Sequence, residues 1–409
     1  MRRRIPNSKP NAKLLSGCLL LALASGATAQ SIDSAVLISR IKARVRENSR
    51  TIPKFVCRQK LERQSFADAH IPGACGVLGE NLPSKGSLIA SDRAVLDVML
   101  SQNSEMFAWP GARSFEAVDQ QDLLGGGFSG NGDFATFVLS IFTVDAATFY
   151  YRGPCEPGAC VRYTYNIPAS VSHYVVRTGL DTATLGYHGS FDVDPQSADV
   201  LRLTVIPTDL PRAIPTACDA RTRMNYTEAV IGAREFRIPA STEKQYLSSD
   251  GTRYVDRVSY EGCRQFGSES ALKFDDPAAP EGEPHVAAAL PPGGAEVQLR
   301  LSANVDSEHG AAGDAIEATL VRAVRDTEGR AIPAGTVFRG HVTRLMTMYA
   351  PQEQVQMAFR FDAIVLNGAA VPVNLTPIRN DRRGSVAFTF AGSKMVRGKG
   401  LVMRWRVVS

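Results

Sequence analysis

The sequence predicts a mainly β protein of the α+β kind, and three observations carry that reading. From residue 148 onward, apolar and polar residues alternate in short runs separated by turns every roughly 8–15 residues, the pattern of a large antiparallel sheet. Helical spacing is confined to two stretches near the start. A stretch rich in Pro, Gly, Ala and acid over 275–294 divides the chain without apolar periodicity and reads as an extended linker. The expected organisation is a signal peptide over 1–29, a first domain over 30–274, the linker over 275–294 and a small β-barrel or sandwich over 295–409.

Arg2, Arg3, Arg4, Lys9 and Lys13 precede a short apolar run over 14–24, and Ala27-Thr28-Ala29 forms a small-x-small cleavage site before Gln30. This is the pattern of a secretory signal peptide, with Sec export to the periplasm or beyond and outer-membrane association left open. The run is too short to span a membrane, and no later stretch reaches the roughly 18 apolar residues a span needs. Leu15-Ser16-Gly17-Cys18 matches a lipoprotein-processing box, but most of the apolar run follows Cys18, where such a box should close it. The chain carries 46 Lys and Arg against 41 Asp and Glu, a formal charge of +5. Removing the five basic residues of the leader leaves 41 against 41, so the charge implies no nucleic-acid partner.

Six cysteines follow the leader: Cys57, Cys75, Cys155, Cys160, Cys218 and Cys263. An even number in an exported chain reads as disulfides. Cys155 and Cys160 frame Glu-Pro-Gly-Ala between two strand-like segments and make the simplest pair; the other four pair in ways the sequence leaves open. Zinc is the competing reading, without a CxxC pair or neighbouring histidines to support it.

The first domain opens on a helix that Ser31 or Asp33 can cap, with Val36, Leu37, Ile41 and Val45 on one side and Arg40, Lys42, Arg44 and Arg46 on the other. Pro53 stops it, and residues 55–63 alternate as a strand. Residues 65–86 read as loop, 90–100 as either a short helix or a strand, and 107–109 and 114–118 as strands around Pro110-Gly111. A literal G-x-G-x-x-G runs from Gly125 to Gly130, but no βαβ unit surrounds it, so it reads as a loop rather than a dinucleotide site. It leads into a helix over 133–142 whose Phe134, Phe137, Val138 and Ile141 share one face. Strands are then expected over 149–152, 161–167, 173–178, 221–230, 234–238, 241–247 and 253–266, with Asp250-Gly251 as a hairpin turn.

The stretch 186–211 is itself a hairpin, its arms at 190–193 and 200–205 joined by Asp194-Pro195-Gln196-Ser197. Phe191 and Val193 are expected beside Leu201, Leu203 and Val205 on a buried face, with Asp192, Arg202 and Thr204 opposite. The run of Gly186 and Gly189, a short strand, Asp194-Pro195 with Ser197, and a strand containing Leu201-Arg202-Leu203 resembles the signature hairpin of the LolA/LolB/RseB-like bacterial envelope proteins. The opening helix and strand resemble the same plan, and the resemblance covers 31–274. It implies an N-terminal curved antiparallel half-barrel wrapped round an apolar concavity, with lid helices, one of them over 133–142. It further implies binding of a lipid, a lipoprotein acyl chain or an exposed polypeptide, without chemistry. That plan usually continues with a second long strand, where 65–86 here reads as loop.

In the second domain, strands are expected over 296–305, 314–324, 336–345, 355–366, 371–375, 385–391 and 401–408. Ile332-Pro333-Ala334-Gly335-Thr336 and the residues to Gly340 are similar to a turn of the TrbI-like β-barrel in secretion-system scaffolds. Arg379, Arg382, Arg383, Lys394, Arg397, Lys399, Arg404 and Arg406 make the end basic, which reads as a solvated face or as a contact for headgroups or anionic glycans.

The residues point away from catalysis. There is no G-x-S-x-G, H-E-x-x-H, kinase or Walker pattern. Ser39 with Lys42 and Ser241 with Lys244 match S-x-x-K without an accompanying K-T-G, and His70, His173, His188, His285, His309 and His341 are scattered. Asp192 and Asp194 invite a calcium reading, which the Asp-Pro turn already explains. No cofactor or metal is expected. Aromatic residues crowd 107–165, either as ordinary core or as the lining of a pocket between sheet and lid helix. The candidate ligand-binding residues are Trp109, Phe115, Phe134, Phe137, Val138 and Ile141. The expected role is a non-catalytic envelope protein that binds a lipid, lipoprotein acyl chain or polypeptide. The alternative is a structural or assembly module that acts through an envelope protein partner.

Overall fold

The computed structural model describes residues 33–67, 75, 86–101, 104–112, 114, 115, 117, 119–125, 128–130, 134, 136–156, 158–178, 181–266, 290–378 and 385–408. The leader, residues 275–289 of the linker and residues 126, 127, 131 and 132 of the glycine-rich loop therefore lie outside the described residues. The described chain is mainly β with a large antiparallel sheet.

Helix α1 (Ser34–Thr51) buries Leu37, Ile41 and Val45, a stripe repeated every fourth residue. Strands β1 (Phe55–Ala67), β2 (Ser87–Ser101) and β3 (Ser104–Ala108) follow, then helix α2 (Gln120–Leu124), strand β4 (Phe128–Gly130) and helix α3 (Thr136–Thr143). Next come β5 (Thr148–Cys155), β6 (Cys160–Ile167), β7 (Tyr174–Thr178), β8 (Asp181–Leu185), β9 (Tyr187–Val193) and β10 (Val200–Pro207). After the short helix α4 (Leu210–Ala213) come the long strands β11 (Ala217–Ile231), β12 (Arg234–Ser248) and β13 (Thr252–Gln265). The ladder runs β3-β2-β1-β13-β12-β11-β10-β9-β6-β5, antiparallel throughout. A separate small sheet holds β4, β7 and β8.

The C-terminal half contributes β14 (Glu296–Leu301), β15 (Val305–Asp306), β16 (Ala315–Leu320), β17 (Val324–Arg325), β18 (Ala331–Ile332), β19 (Val337–Met348) and β20 (Gln354–Leu366). It ends with β21 (Ala369–Pro372), β22 (Leu375–Pro377), β23 (Val386–Ala391), β24 (Val396–Arg397) and β25 (Val402–Val407). Its ladder runs β22-β25-β14-β16-β19-β20-β23, and among the described residues it does not close into a barrel. Thr336 hydrogen-bonds Pro333 O through its N–H (3.3 Å) and its hydroxyl (2.7 Å), fixing the Ile-Pro-x-Gly turn around Gly335 at φ +90°.

The two halves share a ladder. Met346, Thr347 and Met348 of β19 pair with Asp92, Ser91 and Ala90 of β2. Val95 N–H donates to Ala312 O (2.7 Å), Ala312 N–H to Arg93 O (2.9 Å) and Tyr349 N–H to Ile89 O (2.8 Å).

Several expectations change in physical detail. Residues 90–100 are strand throughout. Of the expected strand 114–118, the described residues 114, 115 and 117 lie in no strand; Phe107 N–H reaches Ala117 O in a single bridge. The segments 234–238 and 241–247 are one strand, because Pro239 sits beside the bulge at Asn225/Tyr226, where the ladder is already interrupted. Strand β8 escapes the alternation rule because four of its five residues are at least partly exposed. Leu201 falls in a bulge between Val200 and Arg202 and is only half-buried, so Phe191 faces Leu203 while Val193 faces Val200.

Three disulfides are present among the described residues: Cys155–Cys160, Cys57–Cys263 and Cys75–Cys218. The first is the local staple expected from the sequence. The second joins β1 to β13, the first and last strands of the N-terminal half. No helix among the described residues is long and apolar enough to cross a membrane. Both features are compatible with an extracytoplasmic chain.

Candidate functional site

The β9–β10 turn is where a candidate site is built. Asp194 Oδ1 accepts the N–H of Gln196 at 2.7 Å, and Ala198 N–H returns to Asp194 O at 2.9 Å. Ala198 then takes φ +62°, and Asp199 N–H is held by Ser197 Oγ at 3.2 Å. The outcome is a tight knot that aims the buried Asp199 carboxylate toward α1. Helix α1 grips this knot with its arginine side. Arg40 donates to Pro195 O (3.0 Å) and to Gln196 O, and Arg44 Nε donates to Asp199 Oδ1 at 3.0 Å. The helix face that the sequence marks as polar is thus fixed to the hairpin.

Beside this contact lies a cleft whose roughly 630 Å³ includes open solvent. Val45, Asn48, Ser49 and Ile52 form one wall, and Val138 and Leu139 of α3 another; Leu100, Val200 and Tyr226 complete a mostly apolar lining. The charged end is formed by Arg44, Asp199 and Arg237. Arg237 Nη2 stands 3.8 Å from Asp199 Oδ2 and 3.3 Å from Glu228 Oε1. Its Nε is buried and has no hydrogen-bond partner among the described residues.

The sequence candidates do not gather at this cleft. Only Val138 lines it. Phe137 and Ile141 point into the main core, Phe137 packing on Tyr174 at 5.0 Å and Tyr187 at 5.7 Å. Phe142, beside them, meets Phe191 edge-on at 5.0 Å. Phe134 belongs to a second cluster, 5.4 Å from Phe55 and 4.9 Å from Tyr260. Trp109 lies against His341 of the C-terminal half at 4.7 Å, and Phe115 meets Phe266 at 5.8 Å. The face expected over 133–142 is therefore divided: Phe134 precedes α3 and joins a second core, while Phe137 and Ile141 on α3 face the main one.

Other weighed groups have structural uses. Asp192 is buried and held by Arg162 (2.6 and 2.8 Å) and by Arg202 (3.0 Å), an outer-face carboxylate closed by two guanidinium groups. Ser241 and Lys244, three apart on β12, lie on opposite faces of the strand. Lys42 sits over the Phe149 ring at 5.6 Å. In the C-terminal half, Arg404 and Arg406 share Glu296 (2.7 and 3.2 Å), and Lys394 pairs with Glu308 at 2.8 Å. These three members of the basic run thus have acidic partners. Among the described residues, no group of three or more His, Cys, Asp or Glu is placed to hold a metal ion.

The sequence reading did not single out Asp199, Arg237 or Tyr226. Asp199 follows the turn that the pattern reveals, and Arg237 sits in a strand whose register depends on a bulge. Their meeting with Arg44 joins positions far apart in the chain, with no local signal. Compared with known proteins, the chain matches no family model and no curated relative.

Proposed function

We propose that this chain is an exported, non-catalytic envelope protein that holds the acyl chain of a lipid or lipoprotein in the cleft between α1, α3 and the β9–β10 turn. The observation that carries this reading is the cleft's mostly apolar lining, with its few charged groups gathered at one end. The resemblance of the hairpin to LolA/LolB/RseB-like proteins supports it, with the large sheet as a half-barrel and α1 and α3 as its lid. Burying about 300 Å² of acyl chain gives on the order of 7 kcal/mol before the costs of association.

Native mass spectrometry of the disulfide-bonded chain, followed by solvent extraction, tests the proposal. A stoichiometric acyl species is expected, and Val138→Asp, which places a charge in the wall, should remove it while the fold persists. A clean unliganded mass, with no gain in thermal stability from added fatty acids, phospholipids or lipopeptides, would overturn it.

A second reading rests on a separate observation. Phe137, Ile141 and Phe142 are each no more than 3% exposed, so the space beneath α3 is filled by the protein's own side chains. In that reading the chain is a structural or assembly module of the envelope acting through protein contacts, the role to which an empty cleft would point.

A further inference from the structure

We infer that the cleft selects a single-chain amphiphile with an anionic carboxylate head, bound by Arg237 and Arg44, the chain lying along Val138 and Ile52. This rests on the acyl-chain reading above and adds the head group to it.

The argument starts from charge. Two guanidinium groups converge on one buried carboxylate, that of Asp199, whose side chain is 6% exposed. Arg44 satisfies one oxygen at 3.0 Å. Arg237 reaches the other only at 3.8 Å, beyond hydrogen-bond length. Its remaining partner, Glu228, is 63% exposed, so solvent screens that pair. Arg237 is itself only 17% exposed and keeps a buried Nε–H unpartnered among the described residues. A buried donor without an acceptor is costly, and a planar guanidinium is matched by the two oxygens of a carboxylate. Glu228 offsets the second guanidinium in formal charge, but only from its exposed side, so Arg237 keeps an unmet donor on its buried side. A neutral head, an alcohol or an ester, offers the guanidinium only an uncharged acceptor, a weaker partner than a carboxylate.

The geometry also limits the tail. The cleft includes space open to solvent and is walled by one turn of α1 on one side and by Val138 and Leu139 on the other. A single tail laid there rests in a groove that stays open to solvent along one side.

Titration of the delipidated, disulfide-bonded chain with dodecanoate and with dodecanol, of equal chain length, tests the head group. A charge-assisted hydrogen bond makes dodecanoate bind at least about tenfold more tightly. In Arg237→Gln, checked for unchanged thermal midpoint, the two should bind alike, and Arg44→Gln should narrow the gap. Equal binding of the two amphiphiles to the unaltered chain would overturn the head-group assignment and leave the acyl-chain reading intact. If neither binds, the acyl-chain reading fails and this inference with it. Should Arg237→Gln not fold, salt decides: dodecanoate affinity should fall with ionic strength while dodecanol affinity does not, and the absence of that difference counts against the assignment.

Discussion

Gln59 is fully buried on the face of β1 that carries Phe55, Cys57 and Leu61, opposite Leu96 of β2 and Tyr260 of β13. Both amide atoms lack a hydrogen-bond partner among the described residues. Replacing the amide by an apolar group of similar shape removes the cost of hiding it, so Gln59→Met should raise stability by about 1–2 kcal/mol in urea titration. A loss of stability would show that the amide has a partner in solution. The strand's alternation already places Gln59 inward, but only the packed neighbours reveal that no described residue bonds it. Buried tyrosines give a second residue-scale expectation. Burial raises the hydroxyl pKa of Tyr165 and Tyr187, and it pushes Tyr246 up to about 12. Tyr165 and Tyr246 also donate to Thr204 O (2.8 Å) and Thr216 O (3.0 Å), bonds that need the proton. A folded-state pKa above the unfolded value of about 10 gives stability that is complete below pH 10 and lost as pH rises through the folded values. Stability should therefore be flat up to about pH 10 and fall steeply above it. Tyr165→Phe should make the decline shallower; a decline as steep as that of the unaltered chain would refute the account.

At the scale of elements, the legible parts are those whose cause is local. Helix α1 follows from the four-residue spacing of Leu37, Ile41 and Val45, and the β9–β10 hairpin from alternation around an Asp-Pro turn. What was not legible depends on a neighbour. Residues 90–100 are strand because both edges of β2 are paired, to β1 and to β3, and the bulge at Val200/Arg202 moves Leu201 out of the core. The contact of the 311–313 segment with β2 is another such case, and it makes a sharp test. Gly313 has φ +99°, and a Cβ there would stand 2.2 Å from Val95 O. Gly392 has nearly the same φ, +98°, with nothing within 4 Å of an added Cβ. Gly392→Ala should therefore show backbone strain alone, of about 1 kcal/mol. Gly313→Ala adds a collision with backbone that has no room to move, and its loss should exceed that of Gly392→Ala by about 2 kcal/mol or more. Equal losses in thermal or urea unfolding would mean that the segment does not press on β2 in solution.

Across the whole molecule, residues Ser34–Ser409 form one compact unit, and a single ladder crosses from one half into the other at β2 and β19. The change in composition at 275–294 divides the sequence but does not reveal this seam, because strand pairing at a distance leaves no mark on either strand's own alternation. The seam joins backbone to backbone through the β2–β19 pairs and the Ala312 and Tyr349 hydrogen bonds, and Trp109 packs on His341 across it. An array of backbone hydrogen bonds with a ring contact at its edge behaves as a sheet interior rather than as two surfaces in passing contact. Two polypeptides, residues 30–289 and 290–409, should therefore assemble when co-expressed, with no covalent connection between them. Equimolar co-elution of the two on size exclusion is the expected result, and Gly313→Ala in the shorter piece should weaken it. If the pieces are each folded yet elute apart, the pairing at β2 is too weak to hold the halves, and the covalent connection alone keeps them together. If they elute together, the unfolding of the intact chain should be a single transition, because loosening either half exposes the paired strand of the other.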